Sequence, residues 1–282
     1  MRCAWDLYLN VLPPRLRLSV DKYEIQSVLE TRLRLGRKVE IVTLKGSVWL
    51  EHVSTIDDLT YCVNMASRYS PWSAETIGSG FITAPGGHRV GICGQAVTID
   101  GIMTGLRTVT SVCIRAAKDY TGIATAALGI DGSILILGRP GSGKTTLLRD
   151  LVRQLSDQHS VSVIDERGEL FPIAGERFCY QMGSRTDVLS GCSKPDGIDM
   201  VLRTMTPDYI AVDEITAEDD CRGLIRAGWC GVKLLATAHA CSVQDLVSRP
   251  VYKPLIDSGI FEYFMILRKD KSWRLERMSV CC

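Results

Sequence analysis

The sequence lacks any apolar run long enough to cross a membrane. None of its 282 residues lies in a stretch near the ~20 apolar residues that a spanning helix needs. The N-terminus also lacks the apolar core of a signal peptide. We therefore expect a cytoplasmic protein with no direct membrane span. Repeats and low-complexity segments are missing too, and the charged (23%) and apolar (46%) fractions are those of globular proteins.

The sequence also lacks an excess of charge of one sign. Its formal net charge of +1 at pH 7 gives no global electrostatic reason to expect a specific nucleic acid as partner. Residues 1–118 nevertheless hold a small excess of Lys and Arg, whereas the remainder is mildly acidic. A basic front end could face phosphates, acidic lipid headgroups or an acidic neighbouring subunit, or be an ordinary solvated surface.

Metal-binding and disulfide patterns are missing as well. Eleven cysteines are present, but the count is odd and no pair has CxxC spacing. We expect reduced thiols that fill small apolar sites, rather than a disulfide framework or a structural zinc.

Residues 1–118 predict a smaller mixed α/β domain, which we expect to make ring or partner contacts. Apolar spacing predicts a helix over residues 22–33, and a second helix is expected after Thr55. Residues 80–94 combine strand-like runs with glycines and predict a hairpin whose turn contains Pro85-Gly86-Gly87.

Residues 119–282 predict an α/β domain with a parallel sheet, because strand-like and helical segments alternate. Several apolar runs end in polar residues, and open α/β sheets bind ligands at the carboxyl ends of their strands. The runs lie at residues 134–137, 161–164, 209–212 and 232–236.

The segment after the first of these runs fits GxxxxGK[ST]. Such a loop grips phosphate oxygens with backbone N–H groups, and its glycines permit the required turns. Lys144 would reach the outer phosphates, and the Thr145 hydroxyl would bind Mg²⁺. The sequence thus predicts an ATP site formed by Gly138, Arg139, Pro140, Gly141, Ser142, Gly143, Lys144, Thr145 and Thr146.

Two acidic pairs follow other strands. Asp213 can hold Mg²⁺ through water, while Glu214 can polarise the attacking water. Glu166, in Asp165-Glu166-Arg167, competes with Glu214 for the role of general base. The alternative for that segment is a helix N-cap plus a surface ion pair.

Phosphoryl transfer also needs groups that stabilise negative charge. His239, at the end of its strand, either senses the γ-phosphate or is structural. An arginine from a neighbouring subunit is a common device, and the candidates are Arg203, Arg185 and Arg167. The sequence leaves open which of them crosses an interface.

Three other classes of protein share parts of this sequence pattern. A GTPase would use Asp165 to Gly168 as DxxG and Ser193 to Asp196 as NKxD, but the intervals are too short for the intervening strands and helices. A nucleic-acid-linked ATPase lacks an aromatic and basic groove signal. An assembly scaffold that hydrolyses ATP slowly stays open.

The ordered set of motifs resembles the stage III sporulation protein AA family, relatives of the ATPases of type II, type IV and pilus systems. The resemblance extends over both domains. It covers residues 32–34, the block 80–94 with 86–91, residues 114–115, 165–167, 183–189, Lys194 with Gly197, and residues 202–208, 213–215, 237–239 and 249–250. Thr31 and Thr216 depart from the family pattern.

This resemblance implies a RecA-like P-loop ATPase, hexameric and located in the mother-cell cytoplasm. It implies docking on membrane-embedded sporulation channel proteins and powering of a channel to the forespore. It also implies that Asp165-Glu166 is an acidic box, that residues 237–239 are a histidine box, and that Arg203 is a catalytic arginine.

Overall fold

Most of the chain is described by the computed structural model, in two units. The described residues are 1–68, 80–99, 102–174, 177–268 and 270–278. The first unit is Met1–Asp119 with Pro172–Cys179, and the second is Tyr120–Phe171 with Tyr180–Cys282. The ring or partner contacts expected of residues 1–118 stay a prediction.

The first unit is built on an antiparallel sheet, whose order among the described residues is β3-β2-β1-β6-β5-β4. Side chains of the helices and of the inner strands, such as Tyr8, Leu59, Leu33 and Ile114, share one buried core. The elements are α1 (Trp5–Val11), α2 (Pro14–Asp21), β1 (Val28–Arg34), β2 (Lys38–Thr43), β3 (Gly46–Val53), α3 (Ile56–Ser67), β4 (Phe81–Thr83), β5 (Arg89–Ile99) and β6 (Ile102–Arg115).

The helix predicted over residues 22–33 is wrong. The helix before it, α2, ends at Asp21, and β1 begins at Val28. A register shift between Val28 and Glu30 breaks the alternation of the strand, so Val28 and Thr31 are both buried although they are three residues apart. This bulge imitates helical spacing, and pairing with both β2 and β6 decides the conformation.

Two other local predictions for this unit are confirmed. Helix α3 begins after Thr55, whose hydroxyl accepts from Asp58 N while the Asp58 carboxylate accepts from Thr55 N, which is a capping box. The hairpin of β4 and β5 turns at Pro85–Gly87, where Gly86 and Gly87 have φ values of +80° and +78° that favour glycine.

The second unit alternates strands and helices along the chain, as predicted. Its elements are β7 (Ile134–Leu137), α4 (Lys144–Leu155), β8 (Val161–Asp165), β11 (Thr186–Ser190), α5 (Lys194–Thr204), β12 (Tyr209–Val212), α6 (Glu218–Trp229), β13 (Lys233–Ala238), α7 (Val243–Val247), α8 (Lys253–Asp257), β14 (Tyr263–Leu267) and β15 (Trp273–Arg277). The short ribbon of β9 (Ile173–Ala174) and β10 (Arg177–Phe178) belongs to the first unit.

The sheet of the second unit has the order β11-β8-β12-β13-β7-β14-β15. Neighbouring strands are parallel from β11 to β14, and β15 is an antiparallel edge that the sequence did not predict. Alternate residues of β7 belong to the two hydrophobic cores on opposite faces of the sheet. Leu135 and Leu137 share one core with α6, whereas Ile134 and Ile136 share the other with α4. Such a sheet, covered on both faces, brings the carboxyl ends of its parallel strands to one edge.

Among the described residues, the helices are all too short or too polar to span a lipid bilayer.

Candidate active site

The phosphate-loop sequence connects β7 to α4. Gly141 and Gly143 have φ values of +71° and +102°, which other residues rarely adopt, and Ser142 N donates to Arg139 O at 3.1 Å. A Cβ on Gly138 would lie 2.5 Å from Ser142 Oγ, so a larger residue there would displace the Ser142 side chain. The loop therefore ends at the N-terminus of a 12-residue helix, where backbone N–H groups and the helix dipole favour an anion.

Lys144 lies in the first turn of that helix and is almost fully buried. Its Nζ donates to Gly138 O at 2.9 Å, to Arg139 O at 3.2 Å and to His239 Nδ1 at 2.9 Å. Burial lowers the pKa of Lys144, and the negative charges of Asp213 and Glu214 oppose that shift. The ammonium group thus lies where the loop, the Asp213 strand and the His239 strand meet.

Asp213 follows β12 and faces the phosphate loop. Its Oδ2 accepts from Thr145 Oγ1 at 2.7 Å, and its Oδ1 accepts from Thr237 Oγ1 at 2.5 Å. Thr145 and Asp213, which the sequence assigns to Mg²⁺, are therefore in direct contact. Their hydroxyl and carboxylate oxygens are ligands that Mg²⁺ prefers.

Glu214 has a backbone conformation rare for its residue type, with φ of +50°. The Thr237 hydroxyl accepts from Glu214 N at 2.8 Å and so holds this backbone. One carboxylate oxygen lies 3.1 Å from His239 Nε2, and the other lies 3.4 Å from the Arg167 guanidinium. A strained backbone that neighbouring groups hold in place is typical of functional sites.

The contacts of His239 define its tautomer. The Lys144 ammonium can only donate, so His239 Nδ1 must accept and the ring proton lies on Nε2. That Nε2–H then donates to Glu214 Oε1. His239 therefore links the phosphate-loop lysine to the candidate general base.

Glu166 is held by a lysine that sequence reasoning did not assign to the site. Lys194, at the start of α5, is almost fully buried; its Nζ lies 2.5 Å from Glu166 Oε2 and 3.7 Å from Asp220 Oδ2. Glu166 and Glu214 line one small cleft together with Asp213. Both candidates for the general base are thus near the candidate metal ligand.

The surroundings of Asp165 differ from those of Glu166. Its carboxylate accepts from the backbone N–H groups of residues 169–171 at 2.8 to 3.0 Å, and it closes a loop rather than capping a helix. Burial raises the pKa of Asp165, and these three hydrogen bonds oppose the shift. Its contacts are those of a structural residue.

The arginine candidates are not brought together. Arg167 contacts Glu214, but Arg185 donates to Gln158 O before the start of β8. Arg203 lies in the last turn of α5, whose 11 residues span about 16 Å from the Lys194 end. Its Nε donates to Asp199 O within the same helix at 3.0 Å.

Ser193 does not fit a guanine-binding loop. It is the N-cap of α5, where its hydroxyl accepts from Asp196 N at 3.3 Å. This placement agrees with setting the GTPase interpretation aside.

A further basic residue, missed in the sequence, lies against the phosphate loop. Lys271 Nζ donates to Gly141 O at 2.8 Å and to Ser142 O at 3.0 Å. It lines a cavity of about 510 Å³ together with the loop, Arg139, Arg268 and Arg274. No periodic pattern marks a lysine in a polar turn, so only the fold reveals this contact.

The residues fit a nucleotide with Mg²⁺. In the part of the chain that is described, the buried Ser142 Oγ has no hydrogen-bond partner, so the loop retains an unused polar group. No cluster of three or more His, Cys, Asp or Glu side chains suited to a metal occurs there. A two-residue set such as Thr145 and Asp213 suits Mg²⁺, which takes its other ligands from water and substrate phosphates.

Solved structures with similar architecture show the fold of this chain. The pilus retraction motor PilT, solved with bound ADP, aligns with a TM-score of 0.63 and 15% identity over 91% of this chain and 80% of that chain. The ATPase DotB of Legionella pneumophila aligns with a TM-score of 0.57 and 14% identity over 93% and 78%. These likenesses confirm the predicted fold, a RecA-like P-loop domain preceded by a smaller α/β domain.

The chain belongs to the family of sporulation stage III protein AA, whose family model matches residues 7–275. Stage III sporulation protein AA of Bacillus subtilis (strain 168) is 34% identical over 277 residues, which cover 93% of this chain and 90% of the relative. The predicted family is confirmed, whereas the roles of individual site residues stay predictions.

Proposed function

We propose that this chain is a Mg²⁺-dependent ATPase. The observation that carries the proposal is one continuous set of contacts, in which Thr145 touches Asp213 and Lys144 is linked through His239 to Glu214. Phosphate binding, metal binding and water activation need groups of these kinds within a few ångströms of one another. The similarity to a motor solved with ADP and to an ATPase also supports it.

Each residue has a stated role in this proposal. Residues 138–146 bind the phosphates, and Lys144 exchanges its loop carbonyl partners for phosphate oxygens. Thr145 and Asp213 hold Mg²⁺, which would neutralise phosphate charge when bound. Glu214 accepts the proton of the attacking water, while His239 positions Glu214 and contacts the γ-phosphate.

We further propose that the ATPase is the motor of a sporulation machine. Membership of a sporulation family supports a role in sporulation. In this proposal the protein is in the mother-cell cytoplasm, docks on membrane-embedded channel proteins and powers a channel to the forespore. The proposal includes a homo-oligomer, in particular a hexamer, in which Arg203 would act at the nucleotide of a neighbouring subunit.

The test compares ATP hydrolysis by wild type, Glu214→Gln and Glu166→Gln, with Glu218→Gln as an exposed control on α6. Glu214→Gln should bind ATP normally and hydrolyse it about 100-fold or more slowly, because general-base catalysis contributes this much. Loss of turnover in Glu166→Gln instead would move the base role to Glu166. If wild type hydrolyses no ATP, the proposal is wrong.

Further measurements separate the alternatives and test the assembly. Turnover that requires single-stranded or duplex nucleic acid would favour a nucleic-acid-linked ATPase, whereas very slow turnover with ATP-dependent assembly would favour a scaffold. Native mass measurement with and without ATP tests the hexamer. Co-purification with membrane proteins of the same sporulating cells tests the docking.

A further inference from the structure

Lys271 is a lysine outside the phosphate-loop motif that contacts the loop backbone. Its ammonium group donates to two successive carbonyls, Gly141 O and Ser142 O. A Cβ built on Gly143 would lie 3.8 Å from Lys271 Cδ and Nζ, so the side chain also passes beside the third residue of this turn. Lys271 therefore covers the outer side of residues 141–143.

The sheet places Lys271 there. Strand β14 is the parallel neighbour of β7, with Ile266 opposite Leu137, so the end of β14 lies beside the start of the loop. The turn between β14 and β15 is closed by Arg268 N, which donates to Ser272 O, and by Lys271 N, which donates to Arg268 O. Lys271 has a φ of +69°, which is an energetically costly conformation for lysine. Its side chain extends from the turn to the carbonyls of the phosphate loop.

A hydrogen bond to a backbone carbonyl also fixes the orientation of the N–H group in the same peptide unit. A trans peptide is planar, and its C=O and N–H point in opposite directions. When Lys271 binds Ser142 O, the Gly143 N–H is directed away from Lys271. Gly141 and Gly143 otherwise give this segment unusual freedom, which would have to be lost when phosphate binds.

The positive charge around the β14–β15 turn favours binding of a polyanion such as a nucleotide phosphate. Arg139 and Arg268 line the cavity next to Lys271, and the cavity reaches Gly141 and Ser142 of the loop. Arg274 also lines it, but its charge is paired with Glu276. A polyanion at the loop would thus meet positive charge from the β14–β15 turn in addition to Lys144.

We propose that Lys271 is a positioning residue that holds residues 141–143 in the phosphate-binding conformation and so raises the affinity for ATP and ADP. This inference rests on the proposed nucleotide site. Lys271 acts through the loop backbone, so its loss weakens binding more than it slows the chemical step.

The test measures Kd for ATP and ADP with Mg²⁺, together with KM and kcat, in Lys271→Met and Lys271→Arg. Arg274→Gln is the matched control, because Arg274 lines the same cavity but pairs with Glu276 at 2.7 Å. Lys271→Met removes two hydrogen bonds from a charged donor and should raise Kd and KM at least about tenfold. Turnover at saturating ATP should change less than about twofold, and Lys271→Arg should recover most of the affinity.

Hydrogen–deuterium exchange without nucleotide provides a readout that does not depend on activity. Peptides covering residues 139–147 should exchange faster in Lys271→Met than in wild type or Arg274→Gln. Unchanged affinity and exchange in Lys271→Met, or an equal loss of affinity in Arg274→Gln, would overturn the inference. If the inference alone is wrong, Lys144→Ala still abolishes binding; if Lys144→Ala also binds normally, the proposed site itself is wrong.

Discussion

Replacing Asp58 by asparagine should destabilise the first unit by about 2 kcal/mol at neutral pH. The Asp58 side chain is buried, and its carboxylate accepts from Arg15 Nε at 3.0 Å, His52 Nε2 at 2.8 Å and Thr55 N at 2.9 Å. Burial raises the pKa of Asp58, but the hydrogen bonds from His52, Thr55 and Arg15 outweigh it and lower the pKa from its ordinary value of 3.8 to about 2.

The sign of the pH dependence follows from this lowered pKa. The ionised carboxylate binds its partners in the folded state, so its contribution is complete above pH 4 and is lost as the pH falls through 2. A difference of nearly two pKa units corresponds to about 2 kcal/mol at pH 7, and about 1 kcal/mol remains at pH 3. Asparagine resembles the protonated acid, so wild type and Asp58→Asn should converge as the pH falls.

Native-state hydrogen–deuterium exchange of peptides covering α3, at increasing urea concentration, measures the opening free energy of this region. Asp57→Asn is the control, because Asp57 lies in the same helical turn but is exposed. The reasoning is refuted if Asp58→Asn and Asp57→Asn lose equal stability at pH 7, or if the deficit of Asp58→Asn is as large at pH 3 as at pH 7.

Two more predictions concern the second unit. Gly197→Ala would place a Cβ 2.7 Å from Ile164 Cγ2. We expect it to lower the free energy of unfolding in urea by about 1 kcal/mol, because overpacking exceeds the gain in helix propensity. Gly129→Ala is the control, because its added Cβ has open space and should cost nothing; equal stability of the two variants would contradict this. Arg203→Ala should bind ATP normally but hydrolyse it slowly, and mixing it with Lys144→Ala should restore activity if Arg203 acts in a neighbouring subunit. Absence of any recovery would rule out that arrangement.

Local sequence signals predicted much of the fold. Inner parallel strands of the second unit, such as residues 134–137 and 209–212, are continuous apolar runs because both of their faces are buried. This pattern is hard to misassign when helices alternate with it. The partly exposed edge strand β11 lacks the pattern and was not predicted. Helix α3 was predicted from the acidic residues in its first turn and from its apolar stripe. The error at residues 22–33 arose because a bulge in β1 changed the spacing of its buried residues, and only pairing with β2 and β6 reveals that.

The candidate site was predictable where chemistry is concentrated in short motifs. Residues 138–145 and Asp213-Glu214 each follow a predicted parallel strand. Their proximity at the carboxyl edge of the sheet could therefore be expected. The contacts of Lys194 and Lys271 could not be expected, because each joins segments far apart in the chain. A lysine at a helix start or in a turn resembles any solvated lysine until its partners are known.

Equilibrium binding of ATP with Mg²⁺ to wild type and to Lys144→Ala tests the central claim most directly, namely that the loop around Lys144 is the phosphate site. Lys253→Ala, an exposed lysine at the start of α8, is the control for loss of one positive charge. We predict that wild type and Lys253→Ala bind ATP with equal Kd, and that binding by Lys144→Ala is lost or weakened at least about 100-fold, as removal of a buried charged partner implies. Equal ATP affinity of Lys144→Ala and wild type would contradict the account.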